Sequence, residues 1–189
     1  TALNNAILAK TGLVNYSGPH YSSFGMEKGF EYTLEHFVAA VMSDDEIDVK
    51  PSADWSDDAW FMDQEKREMI ENKGWNSIQA GSAEGTIIGG NLSTIVLLSG
   101  TEFMPTADSI ILFIEDDEEG QKQHFDRYLT SLTQQPWFKN VKGLVIGRFQ
   151  KVSEVLDRNL EQIIAHNPSL RGIPVIAGVD FGHTTPMLT

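Results

Sequence analysis

Between Gly85 and Glu119 the chain reads G-T-I-I-G-G-N-L-S-T-I-V-L-L-S-G, then T-E-F-M-P-T-A-D-S, then I-I-L-F-I-E-D-D-E-E, and this stretch narrows the possible folds more than any other. Two apolar runs, Thr86 to Ile88 and Ile110 to Ile114, have the length and isoleucine content of strands buried on both faces. Each ends abruptly in polar residues. Gly89-Gly90-Asn91 turns the first strand into a helix, with Asn91 as N-cap and Gly100 as stop, and Glu115 falls at the carboxyl end of the second strand. In open α/β sheets that edge is where ligands bind. Local pattern by itself favours a plainer reading, in which Asn91 only caps a helix and Glu115 opens a solvated acidic run.

The chain beyond Glu115 alternates. Gln121 to Thr133 is helical, with Phe125, Leu129 and Leu132 on one face; Gly143 to Gly147 is a buried strand; Ser153 to His166 is an amphipathic helix capped by Ser153; and Ile173 to Val179 is a strand. This succession predicts an α/β fold with a mainly parallel sheet. The last strand runs into D-F-G-H-T-T-P, so His183 and Glu115 leave parallel strands at one edge and can meet despite their separation in sequence.

Upstream, Thr1 to Lys10 has helical spacing and is stopped by Gly12, Leu13 to Tyr16 reads as a short strand, and Glu31 to Met42 is an amphipathic helix with Leu34, Phe37, Val38 and Val41 on one side. His20, in the turn-rich S-G-P-H-Y-S-S-F-G, reads as a structural turn residue. Residues 49–74 mix aspartates with Trp55, Trp60 and Phe61 and show no sustained period. Aromatics in such a connection either pin it to the body or offer a stacking surface to a ligand. Trp75 to Ala80 and Thr86 to Ile88 read as strands around the turn-like G-S-A-E-G.

With 27 Asp and Glu against 14 Lys and Arg, the chain repels phosphate backbones and anionic membranes, so nucleic-acid and membrane partners are not expected. The absence of cysteine excludes disulfides and thiolate chemistry. The five histidines have no metal-ligand spacing, the acidic runs lack the glycine of a calcium loop, and no phosphate-binding loop occurs, so neither metal nor cofactor is expected. No signal peptide opens the chain, and the cytoplasm is the expected location. A Glu bonded to one nitrogen of a His leaves the other nitrogen to take a proton from a nucleophile, the logic of serine hydrolases. No G-x-S-x-G elbow supplies that nucleophile.

G-G-N-L-S-T, I-L-F-I-E-D, G-L-V-I-G-R-F and D-F-G-H-T-T-P, in this order, resemble the LD-carboxypeptidase family of serine peptidases. The W-S-D-D-A-W-F-M-D-Q segment and the opening T-A-L-N-N-A-I-L-A-K-T-G resemble its microcin C self-immunity branch. The resemblance implies a Ser-Glu-His triad working in the cytoplasm without metal or cofactor, in a homodimer. Glu115 and His183 match the triad's glutamate and histidine, and the serine segment matches a position just before Thr1, so residues 1–189 alone are expected to be inactive. Residues 1–48 would be the tail of an N-terminal α/β nucleophile domain, 49–74 a Trp-containing linker or binding loop, and 75–189 a C-terminal α/β domain carrying Glu and His. Asn91 would face the substrate, and either Trp55 or Trp60 would stack on the nucleotide-like part of it. The resemblance leaves open whether that substrate is murein tetrapeptide, processed microcin C or another aminoacyl-nucleotide. A binding module that sequesters such a ligand without turnover, or an inert folded fragment, are the readings outside enzymology.

Overall fold

The computed structural model describes residues 1–189. Helices α1 (Ala2–Thr11) and α2 (Glu31–Met42) come first, followed by a two-stranded antiparallel ribbon of β1 (Asp54–Trp55) and β2 (Ile70–Glu71). Then come β3 (Asn76–Gln79), β4 (Thr86–Asn91), α3 (Leu92–Leu98), β5 (Ile110–Glu115), α4 (Lys122–Thr133), β6 (Val141–Gly147), α5 (Asp157–His166) and β7 (Val175–Val179).

The main sheet has the order β3-β7-β6-β5-β4, parallel from β4 to β7 and antiparallel only where β3 joins β7. Because the parallel strands follow one another without reversal, right-handed crossovers carry all three connecting helices to the same face. There α3 packs on α4 and α4 on α5. The core lies between those helices and one side of the strands: Ile110, Leu112, Ile114 and Ile146 from the sheet meet Ile95, Phe125, Leu129 and Leu132 from the helices, all fully buried. Helical spacing of 125, 129 and 132 puts those three on one stripe, as the sequence predicts. Leu112→Ala is expected to cost about 2–5 kcal/mol, read as a lower urea midpoint at unchanged slope.

The opposite sheet face is covered less completely. Ile87 is 63% exposed, and Ile111, Phe113, Val145 and Ile176 are half-buried. Part of this face lines a cavity of about 240 Å³ together with Ile47, Val49, Trp75 and Leu188. The expectation that both apolar runs are buried on both faces is therefore corrected: β4 is an edge strand, and β5 buries only alternate residues completely.

Other sequence expectations change for local reasons. G-S-A-E-G is not a tight turn, because β3 and β4 lie at opposite edges of the sheet. Gly81 passes Pro174 before β7, Ala83 passes Gly143 in β6, and Ser109, before β5, bonds the Glu84 carbonyl. The segment thus crosses under the amino ends of the strands. Leu13 to Tyr16 forms no strand: no strand lies beside it, and Asn15 Nδ2 instead donates to the Asn4 carbonyl at 3.0 Å. Ser153 does not cap α5, since Glu154 adopts a left-handed conformation (φ 53) that interrupts the helix, and Ser153 Oγ donates to the Asp117 carbonyl. Leu156 takes the capping position, its N–H donating to Asn159 Oδ1 at 3.0 Å. The predicted apolar side of α2 is only partly covered, with Leu34, Val38 and Val41 each about two-fifths exposed.

Candidate active site

β5 delivers Glu115 to the carboxyl edge of the sheet, and the loop after β7 carries His183 back across the same edge. Their side chains meet: His183 Nδ1–H donates to Glu115 Oε2 at 2.8 Å. Two bare backbone positions permit this approach. At Gly182 the backbone has φ 109, and a Cβ would lie 2.9 Å from Glu115 Oε2. At Gly147, the end of neighbouring β6, a Cβ would lie 2.8 Å from the Glu115 Cβ.

Glu115 is 8% exposed and His183 is 48% exposed at the side chain. This bond is the imidazole's only hydrogen bond in the chain, so Nε2 has no partner of its own. Glu115 raises the His183 pKa above its ordinary value, against the opposing effect of burial, with Asp117 and Asp116 adding to the rise. A raised folded-state pKa contributes stability that is complete below the unfolded value of about 6.5 and is lost as pH rises through the folded value. Because the ring is half exposed, the effect should be no more than about 1 kcal/mol. Urea midpoints are expected to fall across that window in the wild type and to fall less in His183→Gln.

Beside Glu115 in register stands Asn91. Its Oδ1 accepts from the Thr94 N–H at 3.1 Å, Thr94 Oγ1 at 3.0 Å and Ser93 Oγ at 2.7 Å, so it caps α3 as the sequence predicts. Its Nδ2 donates to Asp116 Oδ1 at 3.2 Å, which leaves one amide hydrogen for anything else. The reading of Glu115 as the start of a solvated run is corrected: Glu115 is 6% and Asp116 is 3% exposed, and exposure begins only at Glu118. Burial pushes the Asp116 carboxyl above the usual carboxylate range, and its Oδ2 has no partner.

The amino end of α1 abuts the same place. The Asn91 N–H donates to Thr1 Oγ1 at 2.8 Å, and Asn5 Nδ2 donates to the Gly89 carbonyl at 2.8 Å and the Thr1 carbonyl at 3.0 Å. Gly90 has φ 131, and a Cβ there would lie 2.4 Å from Thr1 Oγ1, so only glycine lets the helix sit this close.

The two tryptophans differ. Trp55, in β1, has Arg148 at 4.9 Å and Lys151 at 5.7 Å over its ring and forms a wall of a cavity of about 330 Å³ that neither Glu115 nor His183 lines. Trp60 sits edge-on to Phe61, with centroids 6.0 Å apart, at a segment tip where Phe61 and Met62 are strongly exposed. The segment is tied to the His183 loop by a bridge between Ser56 and Thr185, both N–H···O distances being 2.8 Å. His20 is a turn residue: its Nδ1 accepts from the Ser22 N–H at 3.2 Å. Sequence reasoning passed over Asp116, Arg148 and Asp180. Only Asp180 left a signal, as the acid heading D-F-G-H.

A mainly parallel sheet with a carboxylate–imidazole pair at the carboxyl edge of its parallel strands defines a class of α/β domain suited to proton transfer. Residues 84–189 match the LD-carboxypeptidase C-terminal domain, and the chain belongs to that family. Over 189 residues it is 51% identical to YocD of Bacillus subtilis (strain 168), a protein provisionally named a carboxypeptidase, covering all of this chain and 58% of YocD. A crystal structure of an MccF-like protein from Bacillus anthracis matches with TM-score 0.96 and 54% identity, over 99% of this chain and 58% of that one. The microcin C7 self-immunity protein MccF of Escherichia coli is 30% identical over 203 residues, covering all of this chain and 57% of MccF. A structure of MccF in complex with glutamyl sulfamoyl guanosine matches with TM-score 0.82 and 28% identity, over 99% of this chain and 58% of that one. The chain thus spans a little under three-fifths of the length of these relatives. No helix is long and apolar enough to cross a membrane.

Proposed function

We propose that these residues serve a serine carboxypeptidase of the microcin C self-immunity type, hydrolysing the amide bond of an aminoacyl- or peptidyl-nucleotide. The observation that carries the reading is the 2.8 Å bond from His183 Nδ1 to the buried Glu115. In this reading a serine on the segment just before Thr1 attacks the carbonyl carbon, and His183 Nε2 takes the hydroxyl proton. Glu115 holds the tautomer and stabilises the imidazolium, which then protonates the leaving nitrogen. Water hydrolyses the acyl-enzyme by the same relay. The placement of the nucleophile is supported by α1, whose amino end, where a helix dipole favours negative charge, abuts Gly90 and Asn91 beside Glu115.

For the ligand, Trp60 is the ring that stacks on the nucleobase and Trp55 is the anchor, because cations already lie over the Trp55 ring. Asn91 contributes its remaining amide hydrogen to the substrate. Action in the cytoplasm as a homodimer, without metal or cofactor, belongs to the same proposal and rests on the resemblance. So does the division into a nucleophile-domain tail, a Trp segment and a C-terminal domain.

The test is incubation of the full-length protein with glutamyl sulfamoyl guanosine and chromatography of the products. Release of glutamate that disappears in His183→Ala is the expected result. Tight binding without release would instead identify a sequestering module. Cleavage of murein tetrapeptide alone would move the protein to the murein-trimming branch.

A further inference from the structure

Asp180 is completely buried at the end of β7, three residues ahead of His183, and its carboxylate collects donors from distant parts of the chain. Oδ1 accepts from Ser52 Oγ at 2.7 Å, Arg148 Nη2 at 3.0 Å and Asn72 Nδ2 at 3.4 Å. Oδ2 accepts from Trp75 Nε1 at 2.9 Å and the Ser52 N–H at 3.1 Å. A buried carboxylate needs such partners, but their origin is what matters. Ser52 lies at the entry to the excursion that bears Trp55 and Trp60, and Asn72 and Trp75 lie at its exit, so both ends converge on one side chain. The Arg148 guanidinium that reaches Asp180 also lies over the Trp55 ring, which adds a further tie near the entry of the same excursion. On the other side, the Asp180 carbonyl accepts from the Leu188 N–H at 2.7 Å, closing the loop that carries His183. The Ser56–Thr185 bridge joins segment and loop a second time.

We propose that Asp180 is a positioning residue that makes segment 52–75 and the His183 loop one mechanical unit, so that the segment cannot move without displacing the imidazole from Glu115. Its catalytic meaning rests on the reading of His183 as the base, whereas the coupling itself does not.

Asp180→Asn is nearly isosteric but turns one acceptor oxygen into an NH₂ group. In either amide orientation that group faces donors, two on one side or three on the other, and Arg148 loses its counter-charge. The experiment uses the full-length protein, with two readouts that need no substrate: the NMR titration of the His183 ring, and the rate of trypsin cleavage after Lys66 or Arg67 inside the segment. In Asp180→Asn, cleavage should accelerate roughly tenfold or more as the segment opens, and the His183 pKa should fall toward the ordinary imidazole value. Trp75→Phe keeps an aromatic ring but removes the indole N–H donor, and it should move both readouts in the same direction by less. Should Asp180→Asn fail to fold, Trp75→Phe and Ser52→Ala decide. Faster cleavage with an unmoved His183 titration would make Asp180 an anchor of the segment alone and overturn the proposal, as would variants in which neither readout moves. Because no turnover is measured, an inactive full-length protein would refute the proposed function without touching this result, and the reverse also holds.

Discussion

Glu115→Gln in the full-length protein is expected to lower kcat by about ten-thousandfold, the scale seen when the acidic member of a Ser-His-acid triad is made neutral. Gln keeps the shape of the side chain but offers no charge to the imidazolium that forms during attack. It can also present its NH₂ group to His183 Nδ1, which forces the wrong tautomer and leaves Nε2 carrying the proton it ought to accept. The fold should survive, because the side chain is buried by the close passage of Gly147 and Gly182 and keeps its volume. A second readout separates this role from a loss of packing. Glu115 is the largest cause of the raised His183 pKa, so the acid limb of the residual kcat/KM profile should shift to lower pH. A loss of less than tenfold, with that limb unmoved, would make Glu115 a bystander.

The two tryptophans are expected to fail in opposite ways. Trp55→Ala removes a half-buried ring together with its contacts to Arg148 and Lys151. It should cost stability at the lower end of the about 3–5 kcal/mol known for large aromatic deletions, with a lowered Tm. Trp60→Ala removes a ring whose aromatic neighbour is the exposed Phe61. It should leave Tm nearly unchanged and weaken binding of an aminoacyl-sulfamoyl nucleoside by about 1–3 kcal/mol, the range for stacking on a base. Calorimetric melting and substrate KM on the two variants check both outcomes. If both variants remain stable with unaltered KM, the nucleotide-directed reading fails and a murein peptide becomes the better substrate.

The parallel core was legible because its signals are local. Apolar runs ending in polar residues mark β4 and β5, the 125-129-132 stripe marks α4, and a glycine in the left-handed region ends α1 at Gly12. Asn91 was readable as a cap for the same reason, since the groups that donate to its Oδ1 lie within a few residues. What sequence pattern missed depends on partners far along the chain. Ile87 looks like a core residue until β4 proves to be the edge strand. The acid at 116 looks solvated until Asn91 and the turn around Gly120 close over it. Asp180 draws on Ser52, more than a hundred positions away, and no periodicity encodes that contact. Ser153 is a plausible cap by residue type, but the left-handed Glu154 behind it moves the true start of α5 downstream. Residue type also placed Trp55 and Trp60 on equal terms, and only the cations over one ring separate them.

In the proposed mechanism Glu115 and His183 are two of the three members of a triad whose serine lies just before α1. The most direct measurement is active-site labelling of the full-length protein with a fluorophosphonate, followed by peptide mapping by mass spectrometry. One phosphonylated serine is expected, on the peptide immediately upstream of Thr1, with loss of that label in His183→Ala, because the hydroxyl then has no base to take its proton. A label on a serine within residues 1–189, or labelling that is indifferent to His183, would contradict the mechanism.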